Sequence, residues 1–146
     1  MKIINLKPHH LVCIPRYFSK GGYNKKYSQN FNKICKLIRK NPNIKIKIIK
    51  KCDDICKQCP YKKDNICKKI QDINYLINIQ DNRVLKTLRI KNNSIHKAKD
   101  IFNLSINKIN NKNLKKHCKI KYGCEFLKPC LKYNFNKSFI KDINKK

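Results

Sequence analysis

The chain is poor in glycine and lacks the common catalytic motifs. Its 146 residues include 3 glycines, at Gly21, Gly22 and Gly123. A loop that cradles phosphate needs several glycines at fixed spacing, so that kind of nucleotide site is excluded. There is also no serine nucleophile elbow and no His-Glu-x-x-His zinc motif. A Cys–His nucleophile stays open, but the sequence favours a protein that is not an enzyme.

Acidic residues and arginines are scarce. The chain has 8 Asp and Glu against 37 Lys and Arg, for a net charge of +29. Only four of the basic residues are arginines, the residue that makes most base-specific contacts, so no specific nucleic-acid partner is predicted. The lysines are spread along the chain among many Asn and Ile, a composition that A/T-rich codons also produce. We expect non-specific, salt-sensitive attraction to polyanions.

Long apolar runs are absent. The opening MKIINLKPHHLVC has no stretch that would serve as a signal-peptide core, and no later segment is apolar enough to span a bilayer. We therefore expect a cytoplasmic protein without a membrane partner. Disulfides are rare in that compartment, and the count of 9 cysteines is odd. Metal or cluster binding is the favoured use of these cysteines.

Apolar spacing predicts a small, mainly α-helical domain (α+β) with one or two short strands. We expect a short helix through residues 9–18, kinked or ended by Pro15. A longer helix runs from an N-cap at Ser28 to Asn41–Pro42. Its apolar positions are Phe31, Ile34, Cys35 and Ile38. Cys35 lies on this apolar stripe and is predicted to be a core thiol.

In the middle of the chain, apolar and basic residues first alternate, and the apolar residues then return to helical spacing. NIKIKIIK puts Ile44, Ile46 and Ile48 on one face of a strand, which we expect to be an edge strand protected by its lysines. Helical spacing follows through Ile70, Ile73 and Ile77. Asp81 is predicted to cap a helix that contains Val84, Leu85 and Leu88. Ser94 is predicted to cap another helix, with Ala98 and Phe102 on one face. We expect one cysteine-rich domain over residues 1–135 and a polar, basic, frayed tail over 136–146.

Four cysteines lie in CDDICKQCPYKKDNIC, spaced C-x3-C-x2-C-x7-C. Cys52, Cys56 and Cys59 suit three ligands to one centre, and Cys67 is near enough to be a fourth. The Cys59–Pro60 step also closes the cysteine run of bacterial ferredoxins. Asp53 and Asp54 lie inside this loop, where capping or hydrogen bonds to the loop backbone are favoured over acid–base chemistry. Buried thiols without a metal are the alternative interpretation.

A second group of cysteines lies near the end, at Cys118, Cys124 and Cys130. Its spacing lacks the tight pair of a zinc knuckle, and iron–sulfur clusters accept wider spacings because their ligands need not meet at one atom. An iron–sulfur cluster, most simply 4Fe–4S, is therefore favoured, with zinc as the alternative cofactor. Cys13 and His10 share a helical face and are secondary candidates as ligands. The vicinal His9 and His10 could equally cap or pack.

Several motifs together resemble one family. They are KPHHLVC, GYNKKYSQNF, CDDICKQCP with Cys67, DNRVLKTL and CEFLKPC. The chain resembles the bacterial and archaeal family known as domain of unknown function 1284, which is suspected of binding iron–sulfur clusters. The resemblance makes Cys56, Cys59 and Cys67 the main ligands. It leaves Cys52 and Cys118 less firmly placed, and Phe126 stands where the family has Trp.

These observations leave three interpretations. The first is a small iron–sulfur protein for electron transfer or redox sensing, with Cys56, Cys59 and Cys67 joined by Cys52, Cys124 or Cys130. Its lysines would raise the cluster potential and dock an acidic partner protein. The second is a zinc-stabilised nucleic-acid-binding module. The third is a radical enzyme, suggested by the C-x3-C-x2-C spacing, for which the chain is too short and lacks the β/α alternation of a barrel.

Overall fold

The computed structural model describes residues 2–17, 24–64, 66–68, 73–118 and 135–145. The strands are β1 (Ile3–Leu6), β2 (Lys45–Ile48), β3 (Lys62–Lys63), β4 (Ile66–Cys67) and β5 (Ile95–Lys97). The helices are α1 (His10–Cys13), α2 (Lys25–Lys40), α3 (Ile73–Leu88), α4 (Ala98–Lys108), α5 (Leu114–Cys118) and α6 (Lys137–Ile143). One 3-10 turn follows α1 (Ile14–Arg16), and a second lies within the cysteine-rich segment (Cys56–Gln58). The predicted mainly α domain with a few short strands is confirmed.

The main sheet has three strands in the order β1-β2-β5. β2 pairs parallel with β1 and antiparallel with β5, so it is the central strand. The predicted alternation is confirmed, because Ile46 and Ile48 are fully buried and Lys45 and Lys47 are not. The prediction of an edge strand is wrong. The lysines of β2 suggested an edge protected against mispairing. They do not show which strands pair with β2, because β1 and β5 lie far away in the sequence.

α2 is the helix that the apolar spacing predicted. Phe31, Ile34 and Ile38 are buried, and the helix ends at Lys40, before Asn41–Pro42. The start differs from the prediction, because the N-cap is Asn24 and not Ser28. The Asn24 side chain accepts a hydrogen bond from the backbone N–H of Tyr27 at 2.8 Å, which satisfies one of the free donors of the first turn.

Two of the predicted helix starts are wrong. Asp81 does not begin a helix, because α3 continues through it from Ile73 to Leu88. It lies on the buried stripe of α3 with Leu76, Val84 and Leu88. Ser94 leads into β5, and α4 begins four residues later at Ala98 with Lys97 as its N-cap. Ile70 lies outside the described residues.

The C-terminal segment differs from the predicted frayed tail. Residues Lys137–Ile143 form α6, whose N-cap Asn136 accepts a hydrogen bond from the backbone N–H of Phe139. Phe139 and Ile143 are buried in the main core. The lysines of this segment stay on its outer side, so the composition is polar although one face is apolar. Among the helices that the structure describes, none has the length and apolar character to cross a membrane.

Candidate metal centre at the cysteine loop

The cysteine loop, residues 52–59, is anchored to the body of the protein by its non-cysteine side chains. Ile55 is fully buried in the core. The carboxylate of Asp54 accepts a hydrogen bond from the backbone N–H of Asn5 at 2.8 Å, and the Asp54 N–H donates to the Asn5 carbonyl. Asn30 of α2 donates its side-chain amide to the Asp54 carbonyl at 2.8 Å. The loop is therefore held along the free side of β1, as preorganised ligand loops require.

Cys59 is the thiol with the clearest features of a metal ligand. The nearby backbone N–H groups of Tyr61 and Lys62 lower its pKa, which favours the thiolate, and the Lys62 N–H also donates to the Cys59 carbonyl at 3.2 Å. Burial acts against them and raises the pKa of Cys59, and the nearby charges of Cys67 and Cys52 raise it further. Three half-buried thiols thus lie close enough to repel one another once ionised. A bound cation would relieve this repulsion.

A small hairpin returns Cys67 to this group. β3 and β4 pair antiparallel, with Lys62 opposite Cys67. Asp64 lies in the turn with a φ of 51°, the left-handed region that Asp and Asn tolerate better than other side chains. Asn74 of α3 holds the Cys67 backbone through bonds to both its N–H and its carbonyl. The C-x7-C spacing therefore corresponds to a turn that brings Cys67 back toward Cys59.

Cys56 faces a different set of groups. Burial is the largest cause that raises the pKa of its thiol, and the carboxylate of Asp53 adds to it. Asp53 itself is 3% exposed. Its Oδ2 lies 2.5 Å from His10 Nδ1 and 2.6 Å from the backbone N–H of Lys7. Its Oδ1 accepts from the backbone N–H of Cys56 at 3.1 Å.

The ionised form of Asp53 is strongly favoured despite its burial. Burial alone would oppose the charge, but the nearby charge of His10 and the hydrogen bonds from His10 and the Lys7 backbone outweigh it. Together they hold the pKa of the Asp53 carboxyl well below its usual range. The expectation that this aspartate would bond to the backbone is confirmed, and the histidine partner is additional.

A second histidine–carboxylate pair lies beside the first. His9 Nδ1 is 2.7 Å from Asp81 Oδ1, and the backbone N–H of His9 donates to the same oxygen at 3.0 Å. Asp81 is fully buried in the middle of α3. Burial lowers the pKa of His9, and Asp81 opposes that shift. The His9 side chain makes no capping bond to α1, so of the two expected roles it packs.

The structure brings some of the predicted ligands together and leaves others apart. Cys52 and Cys67 lie near Cys59, and Cys56 faces Asp53. Cys35 is buried, and burial raises its pKa to about 12, in agreement with a core thiol. Within the described ranges, no three His, Cys, Asp or Glu side chains form a group that could hold a metal ion. Cys124, Cys130 and the side chain of Cys118 lie outside those ranges.

Sequence reasoning missed the two histidine–carboxylate pairs. The sequence suggested a ligand, capping or packing role for His10 and a capping role for Asp81. One signal was present in the composition, because 8 acidic residues among 146 make any carboxylate inside an apolar pattern unusual. Asp81 follows Ile77 and precedes Val84 at the spacing of a buried stripe, which already placed it toward the core.

Comparisons with known proteins place the chain in a family. No curated protein and no solved structure matches it. Residues 22–130 match the family described as Protein of unknown function (DUF1284). The matched stretch contains all cysteines from Cys35 to Cys130 and begins after the His9–His10 pair. Because the match covers well over half of the chain, the protein belongs to this family of unknown function, as its motifs indicated.

Proposed function

We propose that this protein binds an iron–sulfur cluster, most simply 4Fe–4S, at the cysteine loop and carries or senses single electrons. Its ligands are Cys56, Cys59 and Cys67, completed from Cys52, Cys124 and Cys130. When bound, the cluster would supply the redox chemistry, and the protein's own residues would hold it and tune its potential. The cytoplasm, as a reducing compartment, suits free thiols of this kind.

One observation carries the proposal. The thiols of Cys52 and Cys67 lie near that of Cys59, and the backbone N–H groups of Tyr61 and Lys62 favour the thiolate form of Cys59. N–H donors to ligand sulfurs stabilise thiolates and help set the potential of iron–sulfur centres. Pro60 has no N–H to donate, so the next two residues of the turn supply both donors. This arrangement gives the Cys59–Pro60 step a specific role.

The surroundings of the loop suit an electron carrier. Lys57 and Lys63 are exposed beside the cysteines. Positive charge near an anionic cluster favours its reduced form and raises its potential. The same lysines offer docking charge for an acidic redox partner, which would act mainly on the rate of association. We therefore place the partner-binding surface around the loop.

A second candidate is a zinc-stabilised module that binds nucleic acid. It is favoured by the open face of the main sheet, where Lys45, Lys47 and Lys97 lie on adjacent strands. Lys45 and Lys97 are direct cross-strand neighbours, an unfavourable pairing of like charges that a polyanion would neutralise. The same thiols would then hold a zinc ion with a structural role.

Anaerobic purification followed by absorbance spectroscopy and analysis of iron, sulfide and zinc tests the proposal. We expect a brown protein with iron and sulfide in equal amounts. Cys59→Ser should lose both, together with the visible absorbance. Cys35→Ser is the matched control, because that thiol is in the core, and it should keep the full iron content. A colourless wild-type protein with stoichiometric zinc and no sulfide would overturn the proposal and favour the second candidate.

A further inference from the structure

The four histidines of the chain differ in how their ring nitrogens are used. Both nitrogens of His117 have protein partners, Thr87 Oγ1 at 2.8 Å and the Asn113 carbonyl at 3.1 Å. His96 bonds the Ser94 hydroxyl through Nε2 at 2.8 Å. These contacts are typical of histidines that serve the fold. His9 and His10 instead each bond a buried aspartate through Nδ1.

The two aspartates leave the other nitrogen of each ring available. Within the described part of the chain, neither His9 Nε2 nor His10 Nε2 has a hydrogen-bond partner. The two side chains are 16% and 8% exposed, so both rings are largely enclosed. Their centroids are 4.3 Å apart with the planes inclined at 56°. Two imidazoles thus lie side by side with both Nδ1 atoms held and both Nε2 atoms without a described partner.

This pattern is the one expected around a metal ion. A histidine that binds metal usually donates its other ring N–H to a carboxylate or carbonyl, which fixes the tautomer and makes the free nitrogen a better ligand. Here both neighbouring histidines have a carboxylate in that position. A histidine that serves only the fold needs no such pair, as the hydroxyl and carbonyl partners of His117 show.

A second observation also indicates a cation. Asp81 is fully buried, and its Oδ2 has no hydrogen-bond partner among the described residues. A buried carboxylate oxygen without a donor is costly, because nothing replaces its lost hydration. A metal ion bound to the adjacent His9 ring would compensate this charge through space. It would explain why one of the chain's few carboxylates is buried in the middle of α3 beside Leu76, Val84 and Leu88.

We propose that His9 and His10 bind a divalent transition-metal ion through their Nε2 atoms, at a site beside the cysteine loop that does not use its thiols. Imidazole suits zinc, nickel, copper and iron, and Zn²⁺ is the natural probe. The described residues provide no third His, Cys, Asp or Glu to complete a set of three. The two imidazoles therefore supply part of the coordination shell, and other donors such as water complete it. Asp53 and Asp81 are positioning residues that hold the rings.

Histidine side-chain NMR of the full-length wild-type protein tests the atoms directly. Long-range ¹H–¹⁵N spectra should show His9 and His10 protonated at Nδ1. Added Zn²⁺ should shift their Nε2 resonances and leave those of His96 and His117 unchanged, so the two fold histidines act as internal controls. Unshifted Nε2 resonances of His9 and His10 at saturating Zn²⁺ would overturn the proposal and leave the pairs a role in the fold alone.

Zn²⁺ titration of variants separates this site from the cysteines. The His9→Gln/His10→Gln double variant should lose one equivalent of Zn²⁺ that Cys59→Ser retains, and the control His96→Gln should bind as the wild type does. Asp81→Asn keeps both imidazoles and should weaken that equivalent by about 10- to 100-fold. If Asp81→Asn and the double variant both bind Zn²⁺ as the wild type does, the proposal fails. The wild-type NMR result decides the question even if a variant does not fold.

Discussion

At the scale of single residues, two of the few aspartates form buried contacts that the basic composition does not predict. The protein carries a net charge of +29, yet Asp53 and Asp81 are buried where no lysine side chain pairs with them in the described structure. Asp53 instead pairs with His10 and accepts from two backbone N–H groups, whereas Asp81 pairs with His9 through one of its two oxygens. Asp53 joins two segments that are distant in sequence, since it binds Lys7 and His10 as well as Cys56 of its own loop. A single carboxylate thus links α1 to the cysteine loop.

The change Asp53→Asn should destabilise the fold strongly. The amide removes the charge that binds His10 and replaces one acceptor oxygen by a donor that faces the N–H groups of Lys7 or Cys56. Loss of buried, charge-assisted bonds of this kind costs about 2–4 kcal/mol. Urea unfolding of wild type and variant measures the difference. Asp100→Asn, at an exposed position in the first turn of α4, is the control and should cost less than about 1 kcal/mol. Equal losses in the two variants would contradict this account.

At the scale of elements, α6 is attached to α4 by an apolar contact and to α2 by charged and polar ones. Phe139 meets Phe102 of α4 edge to face, with ring centroids 5.4 Å apart. Arg39 of α2 donates from Nε to Asp142 at 2.6 Å and from a terminal nitrogen to the Ser138 hydroxyl at 2.5 Å. Asp142 also pairs with Lys145. The last helix is therefore part of the folded domain, and its outer lysines only make it resemble a tail.

The contribution of Asp142 should depend on pH. Hydrogen bonds from Lys145 and Arg39 lower its pKa below the usual value. Since the folded pKa is the lower one, the stabilisation is present above the unfolded aspartate pKa of about 3.9 and is lost as the pH falls below it. Asp142→Asn should therefore lower Tm at pH 7, and the difference from wild type should vanish in acid. Asp64→Asn, in the β3–β4 turn, is the control and should show no such trend. A Tm difference that persists unchanged in acid would contradict the assignment.

At the scale of the whole molecule, charge dominates the surface. Lys45, Lys47 and Lys97 share the open face of the sheet with the exposed Ile3 and Ile95. The isoleucines of β2 on the opposite face are buried in the core, so the lysines point away from it. Charge of one sign spread over a surface attracts polyanions without reading their sequence. The shortage of arginine also argues against sequence-specific binding, because arginine makes most base-specific contacts.

Binding to DNA should therefore be weak, unspecific and sensitive to salt. Fluorescence anisotropy with several duplexes of equal length and different sequence measures this. We expect the same affinity for each duplex and a fall on the order of 100-fold or more between about 50 and 200 mM salt, because binding releases counterions. Lys45→Gln/Lys47→Gln should weaken all duplexes alike. A clear preference for one sequence would contradict the expectation and favour the zinc-stabilised module.

Local patterns in the sequence predicted the elements that depend on near neighbours. The buried stripe of α2 and the alternation of β2 follow from apolar residues three, four or two positions apart, and the structure confirms both. The start of α2 and the continuity of α3 were missed, because capping residues such as Asn24, Ser28 and Asp81 are common in turns, caps and helix interiors alike. The C-terminal helix was missed because its few apolar residues, such as Phe139 and Ile143, are hidden among lysines.

The sequence by itself determined the family, the mainly helical character and the thiols of the proposed centre. It did so because each depends on residue type and short spacing. Only the tertiary structure decided that His9 pairs with Asp81, 72 positions away, and His10 with Asp53, 43 positions away. The spacing of apolar residues shows which face of a helix or strand is buried. It does not show which distant side chain that face contacts. The histidine pair could therefore be recognised as a candidate metal site only after the chain had folded around it.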